Sequence, residues 1–97
     1  RNGIEVLPVY TNPKPGWKSE GFRVINDKLE KNVYLIDFEG KHNAREEFSV
    51  YINDWKVVKT EKAEQIQKNG NIYTYSVDFP NVDSKYTTQQ VKIFLDQ

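Results

Sequence analysis

The sequence predicts an all-β chain folded as an antiparallel sandwich of two sheets with about seven strands. Val and Ile together number 17 against 6 for Leu and Ala, and β-branched and aromatic side chains are those that fit a pleated, half-buried surface. Short runs alternate apolar and polar residues with period two, are separated by turn-forming residues, and have no crossover helix between them. No long window carries a helical apolar stripe. The best, Lys59 to Lys68, offers only Ala63 and Ile66, which leaves that stretch open between a strand and a helical turn.

Ninety-seven residues suffice for one core and not for two, so residues 1–97 are expected to form a single domain. Aromatic residues make up 13% of the chain, enough apolar area to argue against disorder. Fourteen basic residues balance fourteen acidic ones, which gives no electrostatic reason to expect nucleic acid or an anionic membrane as partner. The signs are also interspersed: Lys28 and Lys31 flank Glu30, and Lys59 and Lys62 flank Glu61, the pattern of a solvated face. No apolar run approaches the ~18 residues of a membrane span, so no membrane insertion is expected.

Taken in order, Ile4 to Tyr10 is the first strand candidate, and Pro8 assigns it to an edge or a bulge because its nitrogen cannot donate to a ladder. Thr11 to Gly16 breaks the pattern, with Pro13 and Pro15 biasing their predecessors to extended geometry and Gly16 permitting a turn before Trp17. Gly21 to Ile25 reads as a short strand ended by Asn26-Asp27. Val33 to Phe38 is apolar on both faces until Asp37, as expected of a central strand. Glu39 to Asn43 reads as a loop.

Phe48 to Val58 gives the clearest local signal. A two-residue hairpin turn at Asn53-Asp54 places Ile52 opposite Trp55 and Val50 opposite Val57 on one face, leaving Ser49, Tyr51, Lys56 and Val58 on the other. Asn69-Gly70 supplies a second turn and introduces Ile72 to Phe79, where Tyr73, Tyr75, Val77 and Phe79 alternate with Ile72, Thr74, Ser76 and Asp78. Pro80-Asn81 stops that strand, Val82 to Thr88 reads as a polar connection, and Val91 to Asp96 alternates again with Val91, Ile93 and Leu95 on one face. The expected core is Val33, Leu35 or Ile36, Val50, Ile52, Trp55, Val57, Tyr73, Tyr75, Val77, Ile93 and Leu95.

Chemistry-bearing residues are sparse. His42, the single histidine, sits among Glu39, Gly40, Lys41 and Asn43 as in an exposed turn, and there is no Cys; nucleophilic catalysis and zinc binding both ask for more partners than that. Glu46 and Glu47 are neighbours on a strand and point to opposite faces, which suits a guarded strand edge better than paired acid-base work. Asp78, Asn81 and Asp83 bring hard oxygens around Pro80, but they lack the glycine-containing loop and distal Glu of a calcium site, so turn capping is the expected role. Pro13 and Pro15 suit a strand-connecting loop better than a polyproline ligand. Neither catalytic residues nor a metal or cofactor are expected.

Among the aromatic residues, Trp55, Tyr73 and Tyr75 are assigned to the core or its edge. Trp17 follows a Pro-rich segment where packing is not dictated, and Tyr51 points away from Ile52 and Trp55. Those two are the candidate partner-binding residues, since amphipathic rings bring area at low entropy cost.

Val50-Tyr-Ile-Asn-Asp-Trp-Lys-Val57 is similar to the V-x-V-N-G-x-x-V hairpin of bacterial immunoglobulin-like and fibronectin-III-like domains. Asn69-Gly-Asn-Ile-Tyr-Thr-Tyr-Ser-Val77 resembles their D/N-G-N-Y-x-Y-x-V strand. The resemblance covers residues 48–79; the Cys pair of antibody domains is missing, and Pro13 to Trp17 has no counterpart in it. It implies an immunoglobulin-like sandwich in an extracellular or cell-surface setting, acting as spacer, adhesive module or enzyme accessory. The chain opens Arg1-Asn2-Gly3, as expected of a mature form or a domain of a longer protein. A non-catalytic, monomeric module that binds a protein or glycan or spaces other domains is the expected role. The alternative is a small secreted protease inhibitor that presents the loop Thr11 to Glu20 or Val82 to Thr88. A ligand carrier is disfavoured because a sandwich this small fills its core with its own side chains.

Overall fold

The computed structural model describes residues 3–7 and 21–97. Among them are eight strands and no helix: β1 Ile4–Val6, β2 Arg23–Glu30, β3 Val33–Lys41, β4 Arg45–Ile52, β5 Lys56–Glu61, β6 Ala63–Asn69, β7 Ile72–Asp78 and β8 Tyr86–Asp96. They form two four-stranded antiparallel sheets packed face to face, the first in the order β1-β4-β7-β6 and the second in the order β2-β3-β8-β5. The all-β, two-sheet expectation therefore holds, with one strand more than the seven expected. No helix among the described residues is long and apolar enough to cross a membrane.

Alternation builds the core. Ile4 of β1, Phe48, Val50 and Ile52 of β4, and Tyr75, Val77 and Phe79 of β7 and its end face Tyr34, Ile36 and Phe38 of β3 and Val91, Ile93 and Leu95 of β8, all buried. Each such side chain contributes roughly 1.5–3 kcal/mol through removal from water. Rings run through this core in a row: Tyr73 to Tyr75 at 6.5 Å between centroids, Tyr75 to Phe48 at 5.5 Å, Phe48 to Phe38 at 4.5 Å, Phe38 to Phe22 at 5.2 Å and Phe22 to Phe79 at 5.9 Å. The shortest step, Phe48 to Phe38, crosses between the sheets, as does the last, Phe22 to Phe79.

Of the expected core, Val50, Ile52, Tyr75, Val77, Ile93 and Leu95 are buried, and Trp55, Val57 and Tyr73 pack against it partly buried. Ile36 rather than Leu35 faces in. Val33 is corrected to the outer face, opposite Phe94, because the inward set of β3 is Tyr34, Ile36 and Phe38.

The expected hairpin at Asn53-Asp54 is also corrected. β4 pairs with β1 and β7, whereas β5 pairs with β8 in the other sheet, so residues 53–55 carry the chain across the sandwich. Asp54 adopts φ 72°, and the Asn53 amide donates to the Gly3 carbonyl at 2.7 Å. Trp55 and Val57 thus lie across the core from Ile52 and Val50 and not beside them. The stretch left open at Lys59 to Lys68 is strand on both sides of Lys62, which turns the corner at φ 69°.

Two further boundaries move. β2 does not stop at Asn26-Asp27; a bulge at Ile25 shifts its phase so that Asp27 faces in, where the Tyr34 hydroxyl donates to its carboxylate. β3 runs through Gly40 to Lys41, which confines the expected 39–43 loop to a turn at His42 and Asn43. Gly40 is buried and must be glycine, because a Cβ there would stand 2.6 Å from the Phe79 ring. The Gly70-Asn71 turn joins β6 to β7, with Gly70 at φ 62° as the first central residue of a II′ hairpin requires. The polar connection before the last strand is shorter than expected, since Tyr86, Thr87 and Thr88 belong to β8.

Candidate functional site

The outer face of the first sheet is set by the residues that alternate with the core. Register aligns Glu5, Tyr51, Ile72 and Asn69 in one row across all four strands, and directly opposed side chains on a sheet sit ~5 Å apart. Tyr51 is 36% exposed and Ile72 39% exposed. The next row joins Ser49 to Thr74 by a 2.9 Å hydroxyl contact. Beyond it, Ser76 is buried between Glu47 and Glu64, and the face ends at Arg45 and Asp78.

Arg45 binds Asp78 with two hydrogen bonds, Nε at 2.8 Å and Nη2 at 3.2 Å. Those bonds hold the Asp78 carboxyl below the usual carboxylate range and raise the guanidinium in return. The face therefore grades from an apolar and aromatic row at one end, through short hydroxyls, to fixed charge at the other. Between the two ends the exposed side chains of Glu47, Glu64 and Gln67 flank the hydroxyls.

Of the two candidate partner-binding residues, Tyr51 is on this face and solvent-accessible, while Trp17 lies outside the described residues, as do Pro13 and Pro15. Ile72, beside Tyr51 in the same row, is not among the candidates the sequence offers. The alternation placed it outward on its strand, but only the β4–β7 register joins it to Tyr51, and that pairing leaves no local mark in either segment.

The other residues weighed for chemistry are dispersed. His42 is exposed, with Nδ1 3.3 Å from Asn81 Oδ1, and its backbone amide donates to the Lys85 carbonyl. Glu46 and Glu47 point to opposite faces of β4. Asp78 is engaged by Arg45 and Asn81 by His42, so Asp78, Asn81 and Asp83 do not converge, and no group of three or more metal-ligating side chains occurs among the described residues. A second apolar group, Val33, Leu35 and Phe94, half-buried on the outer face of the other sheet, has the Lys59 ammonium 4.8 Å above the Phe94 ring. No family model, curated protein or solved structure matches the chain.

Proposed function

We propose that the chain is a non-catalytic module of immunoglobulin-like architecture, working outside the cell or on its surface, that docks a partner protein on the outer face of its first sheet. The architectural reading is supported by strand order. β1-β4-β7-β6 follows the A-B-E-D order of an immunoglobulin sheet, and β5 and β8 hold the positions of C and F in the other. The departure is that β3, from a hairpin placed between the first two strands of that scheme, occupies the seat beside F that G would take.

The observation that carries the binding reading is the Tyr51–Ile72 pair, an exposed aromatic beside an exposed branched side chain on an otherwise polar sheet face. Aromatic anchors with a polar rim are how protein interfaces concentrate their energy. A protein is favoured over a glycan because the neighbours in the row are Ile72 and Glu5, not a second ring on which a sugar could stack. Three strands ~4.8 Å apart and about seven residues long, with the three-residue β1 at their edge, give a face of at most roughly 19 by 24 Å, at the small end for a stable complex. A dissociation constant in the micromolar range is therefore expected.

The test places a photo-crosslinking residue at position 51 and, as control, at position 35 on the opposite outer face. A partner captured only from position 51 is then purified and titrated against wild type, Tyr51→Ala and Ile72→Ala. At least a tenfold loss, about 1.4 kcal/mol, is expected from each change. Unchanged affinity in both variants would sink the proposed surface, and Tyr51-dependent retention on a glycan array would replace the protein partner by a carbohydrate.

A further inference from the structure

Among the described residues, each edge strand of six or more residues carries one extra residue, and the inner pairings carry none. On β2 the register skips Ile25 between Val24 and Asn26 while the partner runs straight from Phe38 to Asp37. On β5 it skips Val58 while the partner runs from Leu95 to Phe94, and on β6 it skips Ile66 while the partner runs from Tyr75 to Thr74. The remaining edge strand, β1, has three residues. By contrast the β3–β8 ladder is unbroken from Val33↔Phe94 to Lys41↔Tyr86, and β4–β7 from Arg45↔Asp78 to Tyr51↔Ile72.

The three bulge residues are also the most exposed large apolar side chains among the described residues, at 47% for Ile25, 64% for Val58 and 48% for Ile66. They lie on opposite flanks of the sandwich, β2 bounding it on one side and β5 and β6 on the other. They therefore do not add up to a single docking patch. What they share is position: each interrupts a row of backbone N–H and C=O groups that would otherwise meet a second strand in register. A bulge breaks that periodicity and increases local twist, the means by which sheet edges are kept from pairing.

We infer that the bulges at Ile25, Val58 and Ile66 keep a second copy of this chain from adding to the sheet edges, and that β6 is the edge most in need of one. β6 is exposed along nearly its whole length, has no proline, and carries only Glu64 and Lys68 as charges. Removing Ile66 would leave Gln65↔Tyr75 and Gln67↔Thr74 as consecutive pairs, turning β6 into a regular six-residue edge without disturbing any buried side chain.

The experiment compares wild type, the single-residue deletions of Ile66 and of Val58, and Ile66→Ser by sedimentation velocity over a hundredfold concentration range, with circular dichroism reporting the fold. Wild type and Ile66→Ser, which keeps the bulge and removes only the apolar group, are expected to sediment as monomers. The Ile66 deletion is expected to reach at least twice the monomer mass at the upper concentrations. A folded deletion variant that stays monomeric overturns the inference, as does association of Ile66→Ser to the same extent. Should the Ile66 deletion not fold, the Val58 deletion is read by the same criterion. If neither folds, the bulges serve the monomer's own geometry and the inference also fails.

Discussion

At one end of the row of rings, Phe79 is buried; at the other, Tyr73 is only partly buried, with the Lys68 ammonium 5.3 Å above its ring. The difference lies in what covers each end. Around Phe79 the Asn43 amide donates to the Pro80 carbonyl at 3.0 Å, the Phe79 amide to the Ala44 carbonyl at 2.8 Å, and the Gln89 amide group to the Asp78 carbonyl at 3.0 Å, so the β3–β4 turn and the β7–β8 connection are laced into a lid. Around Tyr73 the inward positions of β6 are Gln65 and Lys68, both exposed, and that edge strand overhangs the core without sealing it. Aromatic residues of one row thus pack a closed core or line an open edge depending on the strand beside them.

That contrast can be broken in the middle of the row first. Phe48→Ala removes a ring from the closest aromatic contact between the two sheets and is expected to cost about 3–5 kcal/mol, read as a fall in urea midpoint with unchanged slope. Alkaline pH comes next. Burial pushes the Tyr75 hydroxyl up to about 12 from its ordinary value of 10. The folded state therefore holds this proton over a range where the unfolded chain has lost it, and stability is level below pH 10 and falls as pH rises from 10 to 12. The loss is about 2–3 kcal/mol, and the difference between wild type and Tyr75→Phe across that window isolates it.

Gly40→Ala drives a methyl group into the Phe79 ring, and overpacking of this kind costs about 1–3 kcal/mol; thermal melts of this variant beside Gly70→Ala would separate the steric effect from a purely conformational one. At neutral pH, Tyr75→Phe deletes a buried hydroxyl that has no hydrogen-bond partner among the described residues. It is expected to leave stability equal or raise it by about 1 kcal/mol, and a clear destabilisation would mean that the hydroxyl is satisfied after all. Smallest is Lys68→Ala at the open end, where an exposed cation above a ring is worth about 0.5 kcal/mol.

Much of the fold was legible because alternation marks which side chains are buried. It does not mark what they are buried against. Val50, Ile52, Trp55 and Val57 satisfy a two-residue hairpin and a sheet-to-sheet crossing equally, since both put all four in the core. The deciding bonds, from the Asn53 amide to Gly3 and from the Ile52 amide to Asn71, come from distant parts of the chain. Bulges cause two of the other misreadings. Ile25 reverses the phase of β2, so Asn26-Asp27 resembles a turn although Asp27 is an inward residue satisfied by Tyr34. Ile66 does the same on β6, which removed the period-two signal that would have separated strand from helix at Lys59 to Lys68. Of the candidate site, Tyr51 was visible as an outward aromatic, whereas its neighbour Ile72 depends on non-local pairing that single-segment patterns do not encode.

The position of β8 in the order β2-β3-β8-β5 has a consequence for how the molecule comes into being. The only links between consecutive described strands that stay within one sheet are β2 to β3 and β6 to β7, so just two hairpins form from neighbouring sequence. Until Tyr86–Asp96 has emerged from the ribosome, β5 has no partner in its sheet and β3 has β2 alone. Synthesis at about 5–20 residues per second leaves the earlier strands waiting on the last, and a topology dominated by such distant pairings closes slowly even then. The inward side chains of β3 and β5 therefore stay without their full cover until β8 arrives to complete the second sheet.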